Sequence, residues 1–152
     1  MAVWPKCLDI MGEEMMEGGV VKKFLYVNRR APYGSIYALE SLEVVLIGAA
    51  FEQDVSLLFL DDGVYQLKKG QDTDSVDMKN FSPTYNALGD YDVNKIYVEQ
   101  ESLEERGLTA DDLLTLTYED EDDDYAEKSS IRVVARHEMA GLMEQQDVIL
   151  SF

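Results

Sequence analysis

Few side chains in this sequence are suited to covalent chemistry. Cys7 is the lone cysteine and His137 the lone histidine, so a Ser-His-Asp or Cys-His arrangement has nothing to build on. Cys7 adjoins Lys6 and is opposed by Asp9, which gives its thiol no strong reason to ionise. A single cysteine also excludes an internal disulfide framework and a cysteine-based zinc site. His137 lies between Arg136 and Glu138 near the start of the last expected helix and reads as a surface residue.

What remains is carboxylate and arginine chemistry. The stretch "VEQESLEERG" (98–107) follows the apolar approach Lys95-Ile96-Tyr97. Glu99 therefore stands where a strand turns into a helix, the corner at which α/β proteins place their chemistry. Ser102 with Glu105 three residues on has the spacing of a capping box, which predicts a helix start at Ser102. Asp61 and Asp62 precede Gly63 and could join Glu99 around a metal, although two aspartates before a glycine are also ordinary turn residues. The loop "NRRAPYGS" (28–35) leads into a helix N-terminus, which favours anions, and Arg29 and Arg30 add positive charge. It has neither the lysine-containing Walker pattern nor GxGxxG spacing, and only Gly34 and Ser35 suit a flavin phosphate. Pro32 and Gly34 read first as a tight turn. No cofactor and no metal is expected.

These residues need elements to hold them. Apolar runs predict strands over 20–28, 54–60, 93–99, 131–135 and 147–152; the 54–60 run is continuous rather than alternating, as in sheets buried on both faces. Between them, Ser35 is placed to cap a helix from Ile36 to about Phe51 that is apolar nearly all round. Ser82-Pro83 opens a helix ending at Gly89, Thr109 caps a further turn, and 136–146 forms a last helix. This alternation predicts a three-layer α/β/α domain with a mainly parallel five-stranded sheet. Right-handed crossovers put the loops 28–35, 61–66 and 99–102 at its carboxyl edge. Residues 1–19, with four methionines and Trp4, read as a flexible N-terminal extension, and 20–152 as the domain. The six consecutive acids Glu119 to Asp124 repel one another and read as a mobile acidic insertion near 117–130. Their lack of interleaved glycine does not suit a calcium loop.

The charge excludes whole classes of partner. Thirteen Lys+Arg against 31 Asp+Glu leave −18, and −12 without the six-acid run. Nucleic acid and anionic membrane surfaces are repelled. No stretch has the roughly 18 to 20 apolar residues of a membrane helix, and the N-terminus lacks the basic start and apolar stretch of a signal peptide. A cytoplasmic protein is expected.

Five segments, "VNRRAPYGSIYALESLEVVL", "FLDDGVYQLKKGQ", "TYNALGDYDV", "IYVEQESLEERGL" and the terminal "DVILSF", together resemble the DsrE/DsrF/TusC sulfur-relay family from about Val20 to Phe152. The likeness is strongest to its DsrF-like members. Gly63-Val64-Tyr65-Gln66-Leu67 and Ser102-Leu103-x-x-Arg106-Gly107-Leu108 are the most telling parts. The resemblance implies an α2β2γ2 heterohexamer (DsrEFH) with homologous DsrE-like and DsrH-like subunits. It also implies a DsrC/TusE-like sulfur acceptor reached through that complex.

In TusC-like members the corner reads Val-Cys-x-x-Ser-Leu, and here Glu99 occupies the cysteine's place. Persulfide transfer needs a thiolate, which a carboxylate cannot supply. The resemblance thus implies a non-catalytic subunit of a relay in intracellular sulfur oxidation. The alternatives are a TusC-like subunit of a tRNA 2-thiouridine relay, an enzyme using Cys7, and a flavin or nucleotide module using the 29–35 loop. A vestigial pocket is expected from Pro32, Tyr33, Gly34, Ser35, Asp62, Glu99 and Ser102, with Arg29, Arg30 and Arg106 as possible counter-charges for Glu99. Tyr65, Leu67, Phe81 and Tyr85, with Met78 and Tyr91 nearby, either form a subunit interface or cover the domain's own core.

Overall fold

The computed structural model describes residues 20–152, so Trp4, Cys7 and the expected N-terminal extension lie outside the described residues. Strands β1 (Lys23–Asn28), β2 (Asp54–Phe59), β3 (Lys95–Glu99), β6 (Ile131–Val134) and β7 (Val148–Ser151) form one sheet in the order β6-β3-β2-β1-β7. Every pairing in it is parallel. Helices α1 (Tyr37–Ala50), α2 (Gln100–Glu105) and α3 (Met139–Glu144) serve the crossovers. The five expected strands are all present, each trimmed by one to three residues at one or both ends. Among the described residues, no helix is long and apolar enough to cross a membrane.

The sheet is apolar on both faces. Phe24, Tyr26, Val55, Leu57, Phe59, Ile96 and Val98 point into the larger core with α1. Leu25, Val27 and Leu58 form a smaller cluster on the other face with Met139 of α3. This explains the continuous apolar runs of the inner strands β1 and β2, where alternate residues meet different layers; in the edge strands β6 and β7 half the residues are exposed. Helix α1 buries Ala38, Leu42, Val44 and Val45 on one stripe, but Leu39 and the flanking Ile36 and Phe51 are exposed. It is therefore less fully covered than its composition suggests.

Several local expectations change. Ser35 does not cap α1; Ile36 holds the N-cap position without a side-chain hydrogen bond. The 82–89 segment is a 3-10 helix running from Ser82 to Tyr91, closed by Asp92 in the left-handed region rather than by Gly89. At Thr109 the bonds run the other way from a cap: its backbone N–H and its hydroxyl donate to the Asp112 carboxylate, at 2.8 Å and 3.1 Å. Of the last helix, 136–138 is a 3-10 turn and 139–144 is α-helical.

The acidic segment is built as an antiparallel hairpin of β4 (Thr117–Asp120) and β5 (Ala126–Ser129). The repulsion among its acids is offset by Lys128, whose Nζ lies 2.6 Å from Asp120 and 2.9 Å from Asp123. Asp124 and Tyr125, with φ of 53° and 58°, make the reversal.

Candidate functional site

The carboxyl edge of the sheet collects the loops that follow β1, β2 and β3, as the topology requires. Their tips interlock. The Leu60 N–H donates to the Asn28 carbonyl at 3.1 Å, and the Asp61 N–H donates to Ser102 Oγ at 2.8 Å. A Cβ on Gly63 would sit 2.0 Å from the Asn28 carbonyl oxygen. The "DDG" sequence is thus a close-approach turn that admits only glycine at its third position. Asp61 itself has φ 52°, a conformation that aspartate adopts more readily than most residues.

The β3–α2 corner has no loop. Glu99 is the last residue of β3, and α2 begins at Gln100, which overturns the expected start at Ser102. Ser102 is fully buried within the helix and its hydroxyl accepts from Asp61 instead of capping. With no cap to complete, Glu105 turns outward to Arg106 and Arg136.

Glu99 is shut in. Its side chain is 3% exposed, and its Oε1 accepts from Nε of Arg136 at 2.5 Å. Arg136 holds the corner at two further points: its backbone N–H donates to Glu101 at 2.8 Å, and Nη2 donates to Glu105 at 3.4 Å. The bond from Glu99 raises the Arg136 pKa further above its already high value. The Glu101 carboxyl is held below the usual carboxylate range by its own backbone N–H and then by that of Arg136. Burial of a carboxylate is tolerated where a guanidinium supplies both charge and hydrogen bond.

None of the three arginines considered from sequence is the partner of Glu99. Arg29 pairs with Asp61 at 3.1 Å, Arg106 with Asp62 at 3.0 Å, and Arg30 lies over the Tyr37 ring at 4.1 Å. Asp61, Asp62 and Glu99 are thereby divided among three cations instead of converging. Among the described residues, no group of three or more His, Cys, Asp or Glu side chains is placed to hold a metal ion.

The seven residues of the expected pocket separate into two groups. Asp62, Glu99 and Ser102 share the corner. Pro32 is buried, and Tyr33 turns away to donate to Asn80 Oδ1 at 2.9 Å and pack edge-on against Phe81. Gly34, at φ 94°, bends the chain after them, and Ser35 is half-buried. Of the interface candidates, Leu67, Phe81 and Tyr85 lie in the chain's own core, so their apolar bulk is already taken up inside; Tyr65 is half-buried. His137 is exposed, as expected.

Two residues that matter here went unread in the sequence. Arg136 follows β6, and the register pairs Glu99 with Val134, so Arg136 emerges beside the corner; the strand order was the missing information. Gln66 is 1% exposed; its Nε2 donates to the Arg30 carbonyl at 2.8 Å and its Oε1 accepts from the Tyr85 hydroxyl at 2.7 Å. It fastens the arginine loop to the 3-10 helix beneath it.

Comparison with known proteins matches this assembly. A family model described as the DsrE/DsrF-like family covers residues 22–152. The intracellular sulfur oxidation protein DsrF of Allochromatium vinosum is 58% identical over 133 residues, 88% of this chain and 98% of that protein. A TusC homolog of Vibrio vulnificus is 31% identical over 132 residues, 87% of this chain and all of that protein. The crystal structure of the ychN protein from E. coli superposes with a TM-score of 0.64 at 20% identity, covering 88% of this chain and all of that one; that likeness bears on the fold alone. A parallel five-stranded sheet in this order and a match spanning nearly every described residue place the chain in the DsrE/DsrF-like family.

Proposed function

We propose that this chain is a subunit of a multi-subunit sulfur relay in intracellular sulfur oxidation, positioning sulfur-carrying partner subunits without carrying sulfur itself. The observation that supports the inert role is the corner: a buried carboxylate, covered by Arg136, stands at the strand tip where the family resemblance expects a cysteine. A persulfide forms when a thiolate attacks a sulfane sulfur, and no oxygen of Glu99 can take that part. The 58% identity to a DsrF protein supports the pathway. The partners are homologous DsrE-like and DsrH-like subunits in an α2β2γ2 particle that hands sulfur to a DsrC/TusE-like acceptor. Ile36, Leu39 and Phe51, exposed along and beyond α1, offer apolar surface to such neighbours.

The test is co-expression with the two homologous subunits, followed by intact-mass measurement of each separated chain after exposure to a persulfide donor. Added sulfur is expected on a partner and not on this chain. Sulfane sulfur bound here and required for turnover would overturn the reading, as would a monomer indifferent to both partners.

A second reading, a TusC-like subunit of a tRNA 2-thiouridine relay, is favoured by the full-length match to a TusC homolog. The 2-thiouridine content of tRNA from a deletion strain separates the two, since only this second role requires it to fall.

A further inference from the structure

The strand order creates one crevice that the corner does not use. Strands β2, β3 and β6 lie successively to one side of β1, and β7 lies on the other. The crossover leaving β1 packs α1 on the Phe24–Tyr26 face, while the crossover entering β7 packs Met139 of α3 on the Leu25–Val27 face. Neighbouring strands whose connections run to opposite faces open a crevice beyond their carboxyl ends, where open parallel sheets bind their ligands. A cavity of about 380 Å³ lies there, lined by Arg29, Arg30, Asp61, Ser151 and Phe152.

The charges in it are unequal. Arg29 is committed to Asp61, and its backbone N–H to the Phe152 carbonyl at 3.0 Å. Arg30 is exposed and makes no ion pair among the described residues; its guanidinium rests on the Tyr37 ring. An aromatic ring engages the face of a guanidinium and leaves the N–H groups on its edge to bind elsewhere. In a chain with 31 acids, an arginine without a carboxylate partner at the sheet's switch point is conspicuous. Ser151, also exposed, adds a hydroxyl donor.

We propose that this crevice binds a small molecule through an oxyanion group, a carboxylate, sulfate or phosphate, held by the free edge of Arg30 and the Ser151 hydroxyl. A planar fork of N–H donors suits any such group. The cavity is of the size that takes a small metabolite, at the lower end of the roughly 300 to 1,000 Å³ usual for ligand sites. Asp61 neutralises Arg29, so the site offers one uncompensated positive charge and disfavours polyanions such as nucleic acid. Binding here is independent of the relay role.

The test follows backbone amide resonances of the whole protein while inorganic sulfate, inorganic phosphate or acetate is added, with sodium chloride holding ionic strength constant. With at least one of the three, saturable shifts are expected at residues 29–31, 61 and 151–152. Arg30→Gln should weaken that binding by about tenfold or more, the usual effect of removing a charged hydrogen-bond donor. Ser151→Ala should weaken it less, and Lys79→Gln, the same charge change elsewhere, should leave it alone. The same spectra report that each variant is folded. No saturation with any of the three anions, or equal weakening by Lys79→Gln and Arg30→Gln, would sink the proposal.

Discussion

Arg136 closes over Glu99: a guanidinium that is 56% exposed lies on a carboxylate that is 3% exposed, joined from Nε to Oε1. The pair ties the exit of β6 to the corner at the exit of β3, so two adjacent strands end in one clasp.

Removing the cation should be worse than removing both charges. Arg136→Met leaves Glu99 buried beside no counter-charge, the situation in which a broken pair costs most. Thermal unfolding should show a clear drop in Tm for Arg136→Met and partial recovery in the Glu99→Gln/Arg136→Met double variant. Independent, additive losses would mean that the two side chains are not coupled.

Restoring sulfur at the corner should restore sulfur binding. Glu99→Cys, made on a Cys7→Ser background, places a thiol beside Arg136, and a neighbouring cation favours the thiolate. Incubation with a persulfide donor is expected to add sulfur mass to this variant and not to the parent. If the Glu99→Cys protein stays inert, the missing capacity lies elsewhere than in this one side chain.

Gly63 should tolerate no side chain. Gly63→Ala drives a Cβ to 2.0 Å from the Asn28 carbonyl oxygen, and both partners are backbone. A loss of about 3 kcal/mol in urea unfolding is expected, the upper end of the usual penalty for overpacking. Gly70→Ala, with nothing within 4 Å of the added Cβ though φ is 67°, should cost less.

Alkali should find Tyr85. Its hydroxyl donates to buried Gln66, and burial, followed by the charge of Tyr33, pushes its pKa far above the ordinary value near 10. A group whose folded pKa is raised contributes stability that is intact below the unfolded pKa and is lost as pH rises beyond it. Stability should therefore decline above about pH 10, the unfolded tyrosine value, and less steeply in Tyr85→Phe. That variant should also lose about 1 to 2 kcal/mol at neutral pH, because Gln66 Oε1 is left unpaired. Parallel alkaline slopes in the two proteins would rule Tyr85 out as the cause.

The fold was legible because the strands are short apolar segments separated by helix and turn signals, and five such segments leave few arrangements. The site was legible only where chemistry is local. Glu99 at a strand end and the glycine after Asp61-Asp62 show in the sequence. Arg136 does not, because it stands 37 residues from Glu99 in the chain and meets it only where β6 lies beside β3. Ser102 misleads for a related reason: its spacing to Glu105 fits a cap, but the Asp61 N–H from another loop claims the hydroxyl. Leu67 and Tyr85 sit in 3-10 helices and Phe81 at the start of one, short elements whose sequence patterning does not separate core from interface. Only the packing of the 61–91 segment against the sheet shows them to be core.

The acidic hairpin bears on the solubility of the fold. Strand β6 ends the sheet, and β5 runs into it through Ser130, which bonds Leu116 and Ile96. An open strand edge invites the edge of another molecule. Six consecutive carboxylates in the hairpin that leads into that edge would oppose an identical approach, making the hairpin a charged guard against self-association. Exchanging Glu121, Asp122 and Asp124 for their amides, with the Lys128 contacts kept, should raise light scattering at high protein concentration and low salt.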